Sequence, residues 1–139
     1  MANENNNLSS VKKKILILED DKFLLSLYAD KFISNGFDVY TADNGIDALK
    51  IFDKAKPDIV IVDLNVPQLN GVETLKIMRN TNDNACFIVF TNYDKDIFDQ
   101  EEREEIDKLV DNYLLKIDTT PDELLEHIRK LCQKNNILK

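Results

Sequence analysis

The 139-residue sequence predicts an α/β protein in which a mainly parallel, doubly wound sheet carries helices on both faces. Five short apolar runs alternate along the chain with five segments of helical periodicity. Four runs are almost continuously apolar, as expected of strands buried on both faces. The second run alternates, which is typical of an edge strand with one wet side. The runs are Ile15–Leu18, Phe37–Tyr40, Ile59–Val62, Phe87–Phe90 and Tyr113–Leu115.

The segments between the runs carry the apolar stripes of amphipathic helices, and the third stripe is the weakest. Gly36 offers a C-terminal stop for the first helix, and Pro57 follows the second. The last helix has the clearest start, because Thr120 offers an N-cap, Pro121 suits the first turn and Glu123 completes a capping box. The stripes are Leu25, Tyr28, Ala29 and Phe32; Ala48, Ile51, Phe52 and Ala55; Val72, Leu75 and Met78; Ile106, Leu109 and Val110; and Leu124, Ile128 and Leu131.

Length and composition fit one domain. Residues 1–11 are polar and Asn-rich, which indicates a disordered leader; we expect the folded domain over 12–135 and a short tail over 136–139. No apolar run approaches the roughly 20 residues of a membrane helix, and Met1–Asn7 has no apolar core for a secretory signal. The sequence therefore predicts a cytoplasmic protein with no membrane contact.

Charge and cysteine content exclude further classes. The net charge is −8 and the only basic run is Lys12–Lys14, so direct nucleic-acid binding is not expected. Cys86 and Cys132 are too few for a disulfide framework and lack metal-ligand spacing. We interpret both as small core residues.

Polar side chains follow four of the predicted strands. Glu19–Asp21 follows the first strand, Asp63 the third, Thr91 ends the fourth and Lys116 follows the fifth. Each group alone has an ordinary explanation as a helix cap, a packing residue or a surface charge. Ligands of doubly wound sheets, however, gather beyond the carboxyl ends of the strands. Several carboxylates there repel one another unless a cation lies among them, and magnesium suits such oxygen ligands.

These blocks resemble the signature of a known family. Ile15–Asp21, Asp63–Pro67 with Gly71, Thr91 and Tyr113–Lys116 are similar to those of response-regulator receiver domains, and the likeness runs from about residue 13 to 134. The spacing among the blocks makes the resemblance specific. It implies a flavodoxin-like (βα)5 fold with a five-stranded parallel sheet of order 2-1-3-4-5.

The resemblance also implies a magnesium site. Asp63 would be the phosphoacceptor and would bind the ion together with Asp20. The backbone carbonyl of Asn65 would be a further ligand, and Glu19 would act mainly through a water molecule. Asp21 lies one position beyond the acidic pair of the family, so we expect it to cap the first helix.

The remaining roles concern the phosphoryl group and the switch. Lys116 would pair with the phosphoryl oxygens, Thr91 would donate its hydroxyl to them, and Tyr113 would change rotamer. The donor would be a phosphohistidine on a sensor histidine kinase or a histidine phosphotransfer protein. The surface of the fourth helix, fifth strand and fifth helix would signal to a downstream effector protein. His127, the only histidine, is interpreted as a surface or packing residue.

The resemblance further implies a signalling protein that catalyses only its own phosphotransfer and slow autodephosphorylation. The chain would be a monomer or a weak, activation-dependent dimer.

Three departures from the family are visible. Ile117 follows Lys116 where the family usually has Pro, often in a cis peptide, which leaves the geometry of that loop open. Asn92 and Tyr93 follow Thr91, and Tyr93 predicts slower autodephosphorylation than a small or acidic residue would give. Residues 94–111 contain nine acids and three bases, which indicates either a solvated helix face or a docking site for a basic partner.

Three other functions fit the sequence less well than a receiver does. An aspartyl-nucleophile phosphatase would need a second acid where Asn65 stands. A flavodoxin-like redox protein would need a phosphate-binding first loop, which Glu19–Asp21 would repel. A pseudo-receiver that binds partners without phosphotransfer is disfavoured by the presence of Asp63, Thr91 and Lys116.

Overall fold

The computed structural model describes residues 12–66, 70–82 and 84–134, and the expected leader, the expected tail and Pro67 lie outside these ranges. A five-stranded parallel sheet of order β2-β1-β3-β4-β5 forms its centre, as predicted. The strands are β1 (Lys14–Leu18), β2 (Asp38–Ala42), β3 (Ile59–Val62), β4 (Cys86–Thr91) and β5 (Asn112–Leu115). The helices are α1 (Lys22–Ser34), α2 (Gly45–Ala55), α3 (Gly71–Thr81), α4 (Gln100–Leu109) and α5 (Pro121–Lys134), with short 3-10 helices at Lys95–Ile97 and Lys116–Asp118.

The strand order determines where the functional groups emerge. From β1 the chain moves to one side to form β2 and then returns to the other side of β1 to form β3. Leu18 and Val62, the last residues of β1 and β3, lie in register, so the residues after them leave the sheet side by side. This reversal point is where doubly wound sheets bind their ligands.

The core has two layers because successive side chains of each strand point to opposite faces. On one face, Ile15 and Ile17 pack with residues of α1 and α5; on the other, Leu16 and Leu18 pack with α2, α3 and α4. Within the described ranges, no helix is long and apolar enough to cross a membrane.

The cysteines and the edge strand behave as predicted. Cys86 and Cys132 are buried in one core layer and form no disulfide, and burial raises the pKa of Cys132 to about 11. The strand β2 lies at an edge of the sheet. It extends two residues beyond the predicted run, because Thr41 and Ala42 pair in register with Ile17 and Leu18.

Side-chain caps define the helix ends. Asp21 caps α1 by accepting a hydrogen bond from the Leu24 amide at 3.1 Å, as expected. Thr120 and Glu123 form the predicted capping box at the start of α5, with bonds of 2.8 and 3.1 Å. Gly36 adopts a φ of +93° after α1, where a left-handed residue lets the chain turn back towards the sheet.

Candidate functional site

The carboxyl ends of three neighbouring strands bring Glu19, Asp63 and Thr91 into one pocket. Asp63 follows β3, and its amide donates to the Leu18 carbonyl at 3.0 Å. Glu19 follows β1, and its amide donates to the Ala42 carbonyl at 3.0 Å. All three side chains are buried, whereas polar groups of this kind usually remain in water.

The Asp63 carboxylate accepts hydrogen bonds from three directions. One oxygen, Oδ1, accepts from the Thr91 hydroxyl at 3.0 Å and from the Asn65 amide at 3.1 Å. The other, Oδ2, accepts from the Lys116 ammonium at 2.8 Å. The side chain is therefore held in one orientation, a requirement for any reaction at a carboxylate oxygen.

Lys116 bridges two buried acids. Its Nζ lies 2.5 Å from Glu19 Oε1 and 2.8 Å from Asp63 Oδ2. Burial lowers the pKa of Lys116, but the hydrogen bonds to Asp63 and Glu19 outweigh burial, so the pKa is raised. Burial raises the pKa of Glu19, although Lys116 and the Asp21 amide oppose that shift.

The structure shows the geometry of the loop after Lys116, where Ile117 stands in the place of the usual Pro. Residues Lys116–Asp118 form a 3-10 helix without a cis peptide, and the Ile117 side chain is 84% exposed. The chain thus brings the Lys116 ammonium into the pocket with isoleucine in the position after it.

The acidic residues fit a divalent cation. Glu19, Asp20 and Asp63 each offer a carboxylate oxygen, and these oxygens lie within 4.8 Å of one another. Asp20 is exposed and Glu19 and Asp63 are buried, so the group is open to water on one side. Magnesium binds such sites through a few carboxylates and retains water in its other positions. The expected role of the Asn65 carbonyl and the water-mediated role of Glu19 stay predictions.

A second chain of contacts links the pocket to β5. The Tyr93 amide donates to the Thr91 hydroxyl at 3.4 Å, and the Tyr113 hydroxyl donates to the Tyr93 carbonyl at 2.5 Å. The Lys95 ammonium lies 5.2 Å from the centre of the Tyr113 ring. Burial, together with the charges of Asp94 and Asp63, raises the pKa of Tyr113 to about 12.

Gly71 packs against the backbone of the loop that follows β3. Its amide donates to the Leu64 carbonyl at 3.1 Å. A Cβ atom at this position would lie 2.4 Å from Leu64 Cα and 2.7 Å from the Asp63 carbonyl oxygen. Only glycine therefore allows α3 to start this close to the residue after β3.

The structure brings together six of the seven predicted site residues. Glu19, Asp20, Asp63, Thr91 and Lys116 share the pocket, and Asn65 contacts it through its amide. Tyr113 is linked to the pocket through Tyr93. That link was not predicted, because no pattern in the sequence pairs a side-chain hydroxyl on β5 with a backbone carbonyl after β4.

The fold and the site together define the class. The sheet is doubly wound, with acids after β1 and β3, a hydroxyl at the end of β4 and a lysine after β5. This is the arrangement of a phosphorylation-switch receiver. The model of the response regulator receiver domain matches residues 15–129, so the chain belongs to this family of two-component signalling proteins.

Two curated relatives and one solved structure illustrate the likeness. Sporulation initiation phosphotransferase F of Bacillus subtilis is 34% identical over 94 residues, which cover 68% of this chain and 76% of that protein. The alkaline phosphatase synthesis transcriptional regulatory protein PhoP of the same species is 28% identical over 133 residues, 91% of this chain and 51% of PhoP. The present chain therefore spans about half the length of PhoP.

The structural comparison supports the fold. A CheY-like receiver domain protein from Methanospirillum hungatei superposes with a TM-score of 0.81, at 22% identity, over 92% of this chain and 99% of that one. Receiver domains are signalling proteins rather than classical enzymes, and they bind Mg²⁺ at an acidic pocket. In this chain, Glu19, Asp20 and Asp63 form an acidic cluster.

Proposed function

We propose that this chain accepts a phosphoryl group on Asp63 from a phosphohistidine of a sensor kinase or a histidine phosphotransfer protein. The observation that carries the proposal is the convergence on Asp63 of the Thr91 hydroxyl, at 3.0 Å, and the Lys116 ammonium, at 2.8 Å. A carboxylate that served only to cap a helix would need neither group.

The chemistry follows from charge. A carboxylate oxygen of Asp63 forms a bond to phosphorus while the bond from phosphorus to the donor imidazole breaks. Magnesium, when bound by Asp20 and Asp63, with Asn65 through its carbonyl and Glu19 through water, supplies positive charge that reduces repulsion between the two anions. Lys116 stabilises the charge on the phosphoryl oxygens, so catalysis consists mainly of positioning and electrostatics.

The switch uses the contacts around Thr91. Its hydroxyl donates to Asp63 Oδ1, so it must move to donate to a phosphoryl oxygen instead. The Tyr93 amide donates a hydrogen bond to that hydroxyl and would move with it. The Tyr93 carbonyl accepts a hydrogen bond from the Tyr113 hydroxyl. Movement of Thr91 thus changes the bonding partner of Tyr113 and shifts the population of its rotamers. The surface of α4, β5 and α5 then signals to an effector protein.

The proposal is tested by incubating the chain with acetyl phosphate and magnesium and mapping the acyl phosphate by mass spectrometry. We expect one labile phosphoryl group on Asp63, absent in Asp63→Asn and absent after chelation of the metal. Asp58, which accepts a bond from the Lys14 amide at 2.8 Å, provides a control variant, Asp58→Asn, that keeps the modification. No modification of wild-type protein under any of these conditions would leave the pseudo-receiver as the better explanation.

The same assay separates the phosphatase alternative. Asn65 is exposed, and its backbone amide donates a hydrogen bond to Asp63. Its side chain is a carboxamide, which cannot act as a general acid or base. We therefore expect one phosphoryl group per chain with slow release, not sustained turnover of phosphate esters. In keeping with this function, we place the receiver over residues 12–135 and in the cytoplasm, acting as a monomer or a weak, activation-dependent dimer.

A further inference from the structure

A groove of about 340 Å³ lies between α3 and α4, beside the phosphoacceptor pocket. Its apolar lining includes Val72 of α3, Ile106 of α4, and Ile97 and Phe98 from the segment before α4. We call it the α3–α4 groove. It lies on the side of α4 that faces α3, since Lys76 of α3 bonds to Glu105 of α4 at 3.0 Å.

The apolar lining is partly in water. Ile97 is 60% exposed at the end of a short 3-10 helix, and Tyr93, which also lines the groove, is 37% exposed. Next to them Phe98 is only partly buried. Scattered exposed hydrophobic residues need no explanation, but adjacent ones that line a concave surface indicate a binding site.

The charge of the rim indicates what the groove binds. Glu73 of α3 and Glu102 and Glu105 of α4 line it, and the cation among the lining residues, Lys76, is paired with Glu105. Residues 94–111, which include Glu102 and Glu105, contain nine acids and three bases. A partner with an acidic surface would be repelled here, whereas a basic one would be attracted and oriented.

We propose that the α3–α4 groove docks a basic amphipathic helix of a partner protein. Apolar side chains of that helix would cover Ile97 and Phe98, and its Lys or Arg residues would face the glutamates of the rim. A single helix laid between two others presents residues at spacings of three and four, which matches a groove with an apolar floor and charged edges. This surface differs from that of α4, β5 and α5, because Asp107 on the other side of α4 bonds to Lys95 near Tyr113.

The groove also touches the phosphoacceptor pocket. Asn65 and Tyr93 are among its lining residues, and their backbone amides bond to the Asp63 carboxylate and the Thr91 hydroxyl. A docked helix would therefore lie next to the groups that position Asp63. The docking itself does not depend on phosphorylation, so it can be tested separately from the proposed function.

The probe is a fluorescent synthetic helix of about 15 residues with Leu on one face and Lys beside it, together with a Leu/Glu version of the same length. Binding to the whole chain is measured by anisotropy. Two groove variants are compared with matched controls. Ile97→Ser is paired with Ile33→Ser, an exposed isoleucine on α1. The double variant Glu73→Gln/Glu102→Gln is paired with Glu101→Gln/Glu104→Gln, which has the same net charge but changes glutamates outside the lining.

We expect saturable binding of the Leu/Lys helix, about tenfold weaker in Ile97→Ser and in the groove double variant, and near wild type in both controls. The Leu/Glu helix should not bind. Asp63→Asn, which cannot be phosphorylated, should bind the Leu/Lys helix like wild type, so a failure of the phosphorylation assay leaves this result unaffected. Three results would show that the acidic segment is only a solvated helix face. They are an equal loss of affinity for the Leu/Lys helix in the two double variants, full affinity in Ile97→Ser, or no saturable binding to wild type.

Discussion

Replacing Gly71 with alanine tests whether the start of α3 sets the position of Asp63. The added Cβ would lie 2.4 Å from Leu64 Cα and 2.7 Å from the Asp63 carbonyl oxygen. Both atoms belong to the backbone, so no side-chain rotation relieves the contact. Gly36 is the glycine with positive φ among the described residues, so close approach, not conformation, excludes a side chain at position 71.

Two effects of opposite sign determine the magnitude. Alanine favours the helix over glycine by up to about 1 kcal/mol. Against this, Cβ contacts essentially never fall below 3.0 Å, so the loop must move by at least ~0.6 Å, and overpacking of this kind costs about 1–3 kcal/mol or more. The contact outweighs the propensity, and we expect a net loss of about 2 kcal/mol, or about 5–8 °C in Tm for a chain of this size.

The assay combines thermal unfolding with the rate of phosphorylation by acetyl phosphate. Gly71→Ala should slow the reaction by about tenfold or more, since displacement of a reacting group by a fraction of an ångström is costly. The matched control is Gly36→Ala, where a Cβ has nothing within 4 Å but φ is +93°. That variant should lose about 1–2 kcal/mol through its left-handed backbone and keep the wild-type phosphorylation rate. A Gly71→Ala protein that melts and reacts like wild type would refute the reasoning.

Three further predictions concern Tyr93, Arg79 and Tyr113. Tyr93→Ala should shorten the half-life of phosphorylated Asp63 by a few-fold, because it replaces a large side chain with a small one two residues after Thr91, whose hydroxyl accepts a hydrogen bond from the Tyr93 amide; an unchanged half-life in a dephosphorylation time course contradicts this. Arg79→Lys should cost about 1.5–3 kcal/mol in a urea titration, because the guanidinium donates to the Leu109 carbonyl at 2.7 and 3.1 Å and lies 4.4 Å above the Phe87 ring; wild-type stability would refute it. Tyr113→Phe should cost about 0.5–1 kcal/mol at neutral pH. Because the pKa of Tyr113 is raised to about 12 in the folded state, its stabilising effect is complete below pH ~10 and is lost as the pH rises through about 12. The stability difference should therefore be equal at pH 7 and 9 and smaller at pH 11.

The sequence predicted the fold because its signals are local and agree with one another. Apolar runs and turn residues located the strands, and Thr120 and Asp21 marked two helix starts. The capping box of Asp99 and Glu102 was not predicted, although its Asp-x-x-Glu spacing could have located it. The site residues were found because parallel strands end at one edge, which makes spacing along the chain a guide to proximity.

Other features could not be predicted because they depend on distances between segments remote in sequence. Arg79 reaches the carbonyls of Leu109 and Ala85 from α3, and Tyr113 reaches the Tyr93 carbonyl from β5. The sequence also cannot show that Lys116 bonds to Glu19 as well as to Asp63. These contacts depend on side-chain reach and helix placement, for which a periodic pattern carries no signal.

The position of Lys116 suggests that its ammonium compensates the negative charge of the pocket, a role that a bound metal ion could share. Its side chain is 8% exposed between Glu19 and Asp63, so Lys116→Met would leave two buried acids without their compensating charge. Removing one partner of a buried ion pair costs about 3–5 kcal/mol, and we expect the lower end because exposed Asp20 opens the pocket to water. Magnesium would then replace the missing charge, and binding to the folded state alone raises stability by mass action. Adding millimolar magnesium should raise the Tm of Lys116→Met by more than that of wild type. A sodium salt without calcium, at equal ionic strength, should not have this effect. Equal responses of the two proteins to magnesium would show that the ammonium and the ion do not share this role.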